Sequence, residues 1–215
     1  EIMSSDWSSD VCSSDLIQLK YGPKAGRLLT TSYGGVAYSD DNGKTWKNGD
    51  KTTSGGECEV LESVDGRVYI ALRKDAPLGT LNKDHRQYAW SEDAGETWSK
   101  VKKEEDLPTP ICMASINRLT DNITYEKNRV IFSNPADYVD RARMTVRISY
   151  DECGSWTEGK MIYEGPSGYS EVGVHNDKTI SCLFECGRFE YSEKITYVQF
   201  DLDWLTDGED KLNPR

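Results

Sequence analysis

Five side chains break the apolar pattern of this 215-residue chain at places where chemistry could sit. Arg73 ends the run VYIALR, and Arg141 follows SNPADYVD. Glu57 sits in SGGECEV, leading into a strand. Tyr169 sits in EGPSGYSEVG, a loop framed by Gly and Pro. Glu185 interrupts SCLFECG, where a buried residue is expected. By type these are two guanidinium groups, two carboxylates and a phenol. A guanidinium offers a fork of donors that fits a carboxylate or a phosphate. A carboxylate can take a proton, and a phenol becomes a nucleophile once it gives one up. Each residue also has an ordinary reading. Arg73 could be a rim arginine, and Arg141 could pair with Asp137 or Asp140. Tyr169 could pack on a sheet, Glu185 could cap a turn, and Glu59 competes with Glu57 from two residues away. Tyr33, in TTSYGG, is a further aromatic that could line a pocket. His85 and His175 read as surface residues and belong to no triad pattern.

The elements that must position these residues announce themselves through a repeat. Ser39-Asp40-Asp41-Asn42-Gly43-Lys44-Thr45-Trp46 recurs as Ser91-Glu92-Asp93-Ala94-Gly95-Glu96-Thr97-Trp98. A third copy, Ser149-Tyr150-Asp151-Glu152-Cys153-Gly154-Ser155-Trp156, moves its Gly by one place and uses Ser for Thr. The copies start about 50 residues apart, the period of a propeller with one four-stranded blade per repeat. The composition has physical reasons. Asp bonds backbone amides inside a tight turn, Gly takes positive φ, Thr adds a hydroxyl bond, and Trp is expected to lie in the seam between blades. The pattern looks like the Asp-box, a structural hairpin signature and not a catalytic one.

Strand signals fit this reading. RVYIALRK (67–74), ITYEKNRVIFS (123–133), MTVRISY (144–150), TISCLFECG (179–187) and KITYVQFDLDW (194–204) are rich in β-formers and often alternate. SKVKKEEDL (99–107) resembles a short helix, but a charged solvated loop is the preferred reading. Hydrophobic residues are 36% and aromatics 10%, which favours an all-β fold with half-buried strands. The net charge of −11 argues against nucleic acid as a partner. No apolar run approaches the roughly 18 residues of a membrane span, and no secretory signal is visible. Apart from Cys12, the five cysteines Cys58, Cys112, Cys153, Cys182 and Cys186 are irregularly spaced without a C-x-x-C pair. They read as buried thiols and not as a zinc site.

The first sixteen residues, EIMSSDWSSDVCSSDL, have no periodicity and no plausible core. Back-translated, Asp6 to Leu16 match a common sequencing-library adapter, so residues 1–16 are expected not to be native. A disordered Ser/Asp tail is the rival reading. Residues 17–215 are then expected to be the C-terminal part of a longer catalytic domain.

From about Arg27 to Trp204 the chain resembles the sialidase (neuraminidase) family. GGECEVLESVDGRVYIALR is similar to its Glu-Cys segment followed by a strand ending in Arg. PTPICMASINRL is similar to its Pro-x-Cys-x-x-Ser stretch. FSNPADYVDRARMTVRISYDE resembles its Asn-Pro segment with an Arg ahead of the last Asp-box. YEGPSGYSEVGV and CLFECG resemble its closing Tyr-Ser and Phe-Glu segments. The resemblance implies a six-bladed β-propeller, of which about three to four blades are present here. It implies Tyr169 as nucleophile, Glu57 as the base that takes its proton, Arg73 and Arg141 as holders of the substrate carboxylate, and Glu185 as the orienter of a further Arg. It implies no metal, no cofactor, and sialylated glycans (glycoproteins, glycolipids, oligosaccharides) as substrates. Secretion or a cell-surface location is a family expectation.

The family's first carboxylate-binding Arg and its acid/base Asp have no counterpart in the sequence. The chain as written is therefore expected to catalyse poorly, with Glu185 facing no partner. Retaining exo-α-sialidase is the leading reading, and transfer to a second sugar is its close relative. A non-catalytic propeller that binds glycan or protein is the alternative. A paired-carboxylate glycosidase, with acids about 5 to 9.5 Å apart, is a third.

Overall fold

The computed structural model describes residues 16–53, 55–74 and 85–215. The adapter-like residues 1–15 lie outside the described residues. The elements in chain order are β1 Ile17–Gln18, β2 Leu28–Ser32, β3 Gly35–Ser39, β4 Lys47–Asn48, β5 Cys58–Glu62, β6 Val68–Leu72 and β7 His85–Ser91. They continue as β8 Lys102–Pro108, β9 Ser115–Thr120, β10 Arg129–Pro135, β11 Ala142–Ser149, β12 Lys160–Val174, β13 Ile180–Cys186 and β14 Lys194–Phe200. A short helix, α1 Leu202–Leu205, follows. The fold is all-β, as the composition predicts. The chain divides into two compact units. Unit 1 takes the described residues up to 74 with Gln87–Lys102, and unit 2 takes His85, Arg86 and Lys103–Arg215.

Unit 1 carries the antiparallel sheet β1-β2-β3-β4 and the strands β5 and β6 of the sheet β5-β6-β7-β8, whose last two strands cross the division. All five residues of β6 are buried. Leu29, Val36, Val60, Val68, Ile70 and Leu72 form the core. The register Cys58↔Leu72 extends by one step, because the Arg73 amide donates to the Glu57 carbonyl at 2.9 Å. Glu57 and Arg73 therefore stand opposite one another just beyond the paired strands.

Unit 2 is built on a six-stranded sheet in the order β14-β13-β12-β11-β10-β9. Its long strand β12 pairs with β11 through its first half and with β13 through its second. The sheet curls enough for the Val172 amide to reach Ser115 Oγ at 3.1 Å and for Asn117 Nδ2 to reach the Val172 carbonyl at 3.3 Å. Ile131, Met144, Val146, Val172, Ile180 and Phe184 fill the concave side. Two irregularities interrupt the ladders of β12. The β11–β12 register shifts around Arg143, whose φ is +64°. The β12–β13 register jumps from Ser167↔Cys186 to Ser170↔Phe184. Gly168 and Tyr169 thus oppose the single residue Glu185, which defines a β-bulge.

The three repeats form the same hydrogen-bonded turn. Ser39 Oγ, Ser91 Oγ and Ser149 Oγ each donate to the repeat aspartate, at 2.8, 2.8 and 2.9 Å. The hydroxyls of Thr45, Thr97 and Ser155 donate to its other oxygen at 2.6, 2.6 and 2.7 Å. The Thr45 donor leads in holding the Asp41 carboxyl down at about 2. At Asp93 and Asp151 partial burial pushes upward, but donors from Thr97 and Ser155 outweigh it and both carboxyls stay below their ordinary range.

Several expectations are corrected. SKVKKEEDL contains strand β8. Its buried positions Glu104 and Leu107 are three apart, a spacing that imitates one helical turn, and sheet pairing overrides it. Residues 201–204 leave the strand, because the Asp201 side chain accepts from the Trp204 amide and caps α1. Residues 123–128 lie outside β10, with Tyr125 in an isolated antiparallel bridge to Pro214. Trp156 is buried and packs on Phe132 at 5.3 Å. Trp46 does not enter a seam: it is 38% exposed, and its Nε1 donates to the Gly43 carbonyl of its own turn at 3.1 Å. His85 is not a free surface residue; it packs edge-on to Tyr138 at 5.1 Å. The five cysteines are buried and free of disulfides.

Asp210 clamps the C-terminal segment. Arg129, fully buried, donates to it through Nε at 2.6 Å and Nη2 at 2.8 Å. Burial raises the Asp210 carboxyl, but the Arg129, Lys127 and Tyr150 donors bring it well below its usual value. Asp210→Ala should cost unit 2 about 3 kcal/mol, because it strands a buried guanidinium; an unchanged urea midpoint contradicts this. A carboxyl depressed by folding stabilises fully above its ordinary pKa and loses that contribution as pH falls through its folded value. Melting temperature should therefore drop between about pH 4 and pH 2, and a flat profile over that window contradicts the repeat-aspartate account.

Candidate active site

The bulge in β12 sets the candidate site of unit 2. Tyr169 lies on a strand and not in the Gly/Pro-framed loop that the sequence suggests. Its amide has lost its ladder partner and donates instead to Glu185 Oε2 at 3.0 Å. Glu185 is thus not left facing nothing: the residue opposite the bulge satisfies the amide that the bulge frees. The extra residue also changes which way the phenol points relative to a regular pleat.

Arg141 stands just before β11, and its own carbonyl accepts from the Ser167 amide at 2.7 Å. Its guanidinium donates through Nε at 3.3 Å and Nη2 at 3.0 Å to the Ile111 carbonyl. The segment that carries Ile111 is itself pinned. Fully buried Arg86 donates to the Cys112 carbonyl at 2.7 Å, and Asn134 Nδ2 donates to the Pro108 carbonyl at 2.7 Å. Two rings flank the guanidinium: Arg141 Cζ is 5.4 Å from the Tyr169 centroid and 4.6 Å from that of Tyr191. Among the described residues no carboxylate pairs with Arg141. The rival pairing with Asp137 is not made, since that carboxylate accepts the amides of Val139 and Asp140.

Glu57 and Arg73 form a cluster of their own in unit 1. Arg73 Nη1 donates to Glu57 Oε2 in a tight ion pair. The pair follows from the ladder, which places the two residues opposite each other. Glu57 keeps 11% side-chain exposure, whereas Glu59 is 1% exposed, so Glu57 is the one a ligand could reach. Tyr33 is 46% exposed, with Lys51 Nζ 5.9 Å from its ring centroid.

Similarity to known proteins bears on this arrangement. A family profile described as a BNR repeat-like domain matches residues 10–189. The chain belongs to the BNR-repeat sialidase family. It is 34% identical over 202 residues to a sialidase of Micromonospora viridifaciens, covering 88% of this chain and 30% of that protein. It is 31% identical over 158 residues to a sialidase of Bacteroides fragilis, covering 70% of this chain and 28% of the other. The chain thus spans about a third or less of the length of these bacterial relatives. Among solved structures, the Hadza microbial sialidase Hz136 superposes with a TM-score of 0.71 at 23% identity, covering 86% of this chain and 37% of that one. A leech intramolecular trans-sialidase superposes with the same TM-score at 21% identity, covering 89% and 32%. At those identities the likeness is one of fold.

Within this sialidase-family chain, sequence reasoning found Arg141, Tyr169 and Glu185 but missed Tyr191 and Gly168. Tyr191 falls in the hairpin RFEYSEK and carries no pattern of its own. Gly168 could have been suspected, because a Gly beside a strand Tyr often marks a bulge. A Cβ on Gly168 would collide with Glu185 Oε2 and come within 2.8 Å of Tyr191 Cδ2. Gly168→Ala should therefore destabilise unit 2 by about 1 to 3 kcal/mol. A urea midpoint equal to that of the parent chain contradicts the tight packing of bulge, glutamate and turn.

Proposed function

We propose that this chain is part of an exo-α-sialidase that removes terminal sialic acids from glycoconjugates with retention of configuration. The observation that carries the reading is the Arg141–Tyr169 pair. A guanidinium with no carboxylate partner among the described residues lies against a phenol that a bulge has re-aimed. An uncommitted guanidinium suits an anionic ligand, and sialic acid carries its carboxylate on the anomeric carbon itself.

In this reading Tyr169 Oη attacks that carbon as the glycosidic bond breaks. Glu57 takes the phenol proton, since a phenol near pKa 10 is a poor nucleophile unaided. The departing alcohol takes a proton from an acid outside these 215 residues. Water then hydrolyses the sialyl-tyrosine, and two inversions leave the configuration retained. A neutral phenol avoids the like-charge repulsion that a carboxylate nucleophile, the usual choice among retaining glycosidases, would meet at this sugar. Arg141 and Arg73 hold the sugar carboxylate by charge-assisted bonds. The reading requires that Glu57 and Arg73 reach the same sugar as Arg141 and Tyr169. It also takes the domain to be a six-bladed propeller whose further blades supply a third arginine and the acid.

The test uses the full-length source protein on a fluorogenic sialoside. Glu57→Gln should lower kcat by about 10² to 10⁴, and Tyr169→Phe should abolish covalent turnover. The first-formed sugar should be the α anomer by NMR. Full activity in Tyr169→Phe, or a β product, refutes the mechanism. The 215-residue chain alone should turn over poorly.

A further inference from the structure

The turn between β13 and β14 carries a residue that the proposed mechanism does not use. The Cys186↔Lys194 pair closes this hairpin. Inside it, the Glu193 carboxylate accepts three backbone amides. Arg188 donates to Oε2 at 2.9 Å, and Phe189 and Glu190 donate to Oε1 at 2.9 Å each. These amides, led by that of Arg188, hold the Glu193 carboxyl below its ordinary range. Three bonds to one side chain stiffen the turn and fix where its other members point. Tyr191 points under the Arg141 guanidinium, at 4.6 Å. Its ring edge also lies over Gly168, where a Cβ would come within 2.8 Å.

The geometry points to Tyr191 as a positioning residue for Arg141. This role rests on the reading of Arg141 as an anchor for a sugar carboxylate. A guanidinium must present one edge, in one plane, to grip a carboxylate through two donors. The Ile111 carbonyl occupies the Nε and Nη2 edge, so the Nη1 side remains for a ligand. A single acceptor leaves the plane free to rock. Tyr191 removes that freedom by covering one face through a cation–π contact. It also excludes water from that face, which strengthens the bonds the open edge makes. Unlike a carboxylate, a neutral ring holds the cation without spending its charge. Arg141 therefore keeps its charge free of any carboxylate among the described residues.

The probes are the α-methyl glycoside of N-acetylneuraminic acid and the C1 methyl ester of that glycoside, titrated into the full-length source protein by NMR. The unaltered protein should bind the acid and disfavour the ester, and Arg141→Ala should lose the preference. Tyr191→Leu keeps bulk without a π face. It should raise the Kd for the acid about 10-fold, equivalent to about 1.4 kcal/mol, and leave the ester unchanged. Tyr191→Phe keeps the face and should bind within about 2-fold of the parent. The Arg141 Nε–H signal should keep its chemical shift in Tyr191→Phe and move in Tyr191→Leu before any ligand is added, the Tyr169 ring contributing equally to both. If Tyr191→Leu binds the acid as the parent does, while Arg141→Ala does not, the positioning role is wrong and the anchor stands. Equal losses for acid and ester also overturn the role, since they report general damage. If the unaltered protein binds neither probe, or Arg141→Ala keeps the preference, the anchor reading falls and the Tyr191 role with it.

Discussion

Strand β12 places two residues, Gly168 and Tyr169, opposite one, Glu185, and the rest of unit 2's site depends on that mismatch. A regular antiparallel ladder would pair the Tyr169 amide with a carbonyl. The bulge forbids this, and a half-buried amide without a partner costs free energy. The Glu185 carboxylate supplies the missing acceptor from the neighbouring strand. The same step puts a residue without a side chain at 168, so the β13–β14 turn can close down and carry Tyr191 to Arg141. One extra residue in one strand thus determines the direction of a phenol, the partner of a carboxylate and the seat of a guanidinium.

The arginines of this chain divide according to what they hold. Arg27 and Arg129 are almost wholly buried and clamp carboxylates: Asp40 and Glu96 for the first, Asp210 for the second. Each joins segments distant in sequence, and removing a partner would strand a buried charge. Arg73 is 23% exposed and committed to Glu57. Arg141 differs from all three, because its polar partner is a neutral carbonyl and its neighbours are rings. Arg147 also lacks a carboxylate partner, donating to Asn134 Oδ1 at 3.2 Å, but it is buried, whereas Arg141 is half-buried and keeps an edge for a ligand.

The repeats do a different job. Each is a closed local network of one aspartate, its hydroxyl donors and a glycine, nearly identical in length across all three copies. Because the network is local, it tolerates the displaced glycine of the third copy, where Glu152 and Cys153 take positive φ instead. The repeats hold hairpins through their own hydrogen bonds.

Much of this was legible in the sequence. The strands β6, β11 and β13 follow from alternation and β-branched content. The repeats follow from an eight-residue pattern, and the family from an ordered series of segments that includes all five candidate residues. Those features survive because they are encoded within a few consecutive positions. The loop reading of 99–107 and its helical rival, the strand look of 201–204 and the seam position of Trp46 failed for the complementary reason. Each depended on which partner the segment met, and a cap or a sheet neighbour decided it. The bulge at Gly168–Tyr169, the amide held by Glu185 and the approach of Tyr191 to Arg141 were invisible for the same cause. Register is a property of two strands together, and a side chain's neighbour across a turn is fixed by packing, which no single stretch of residues contains.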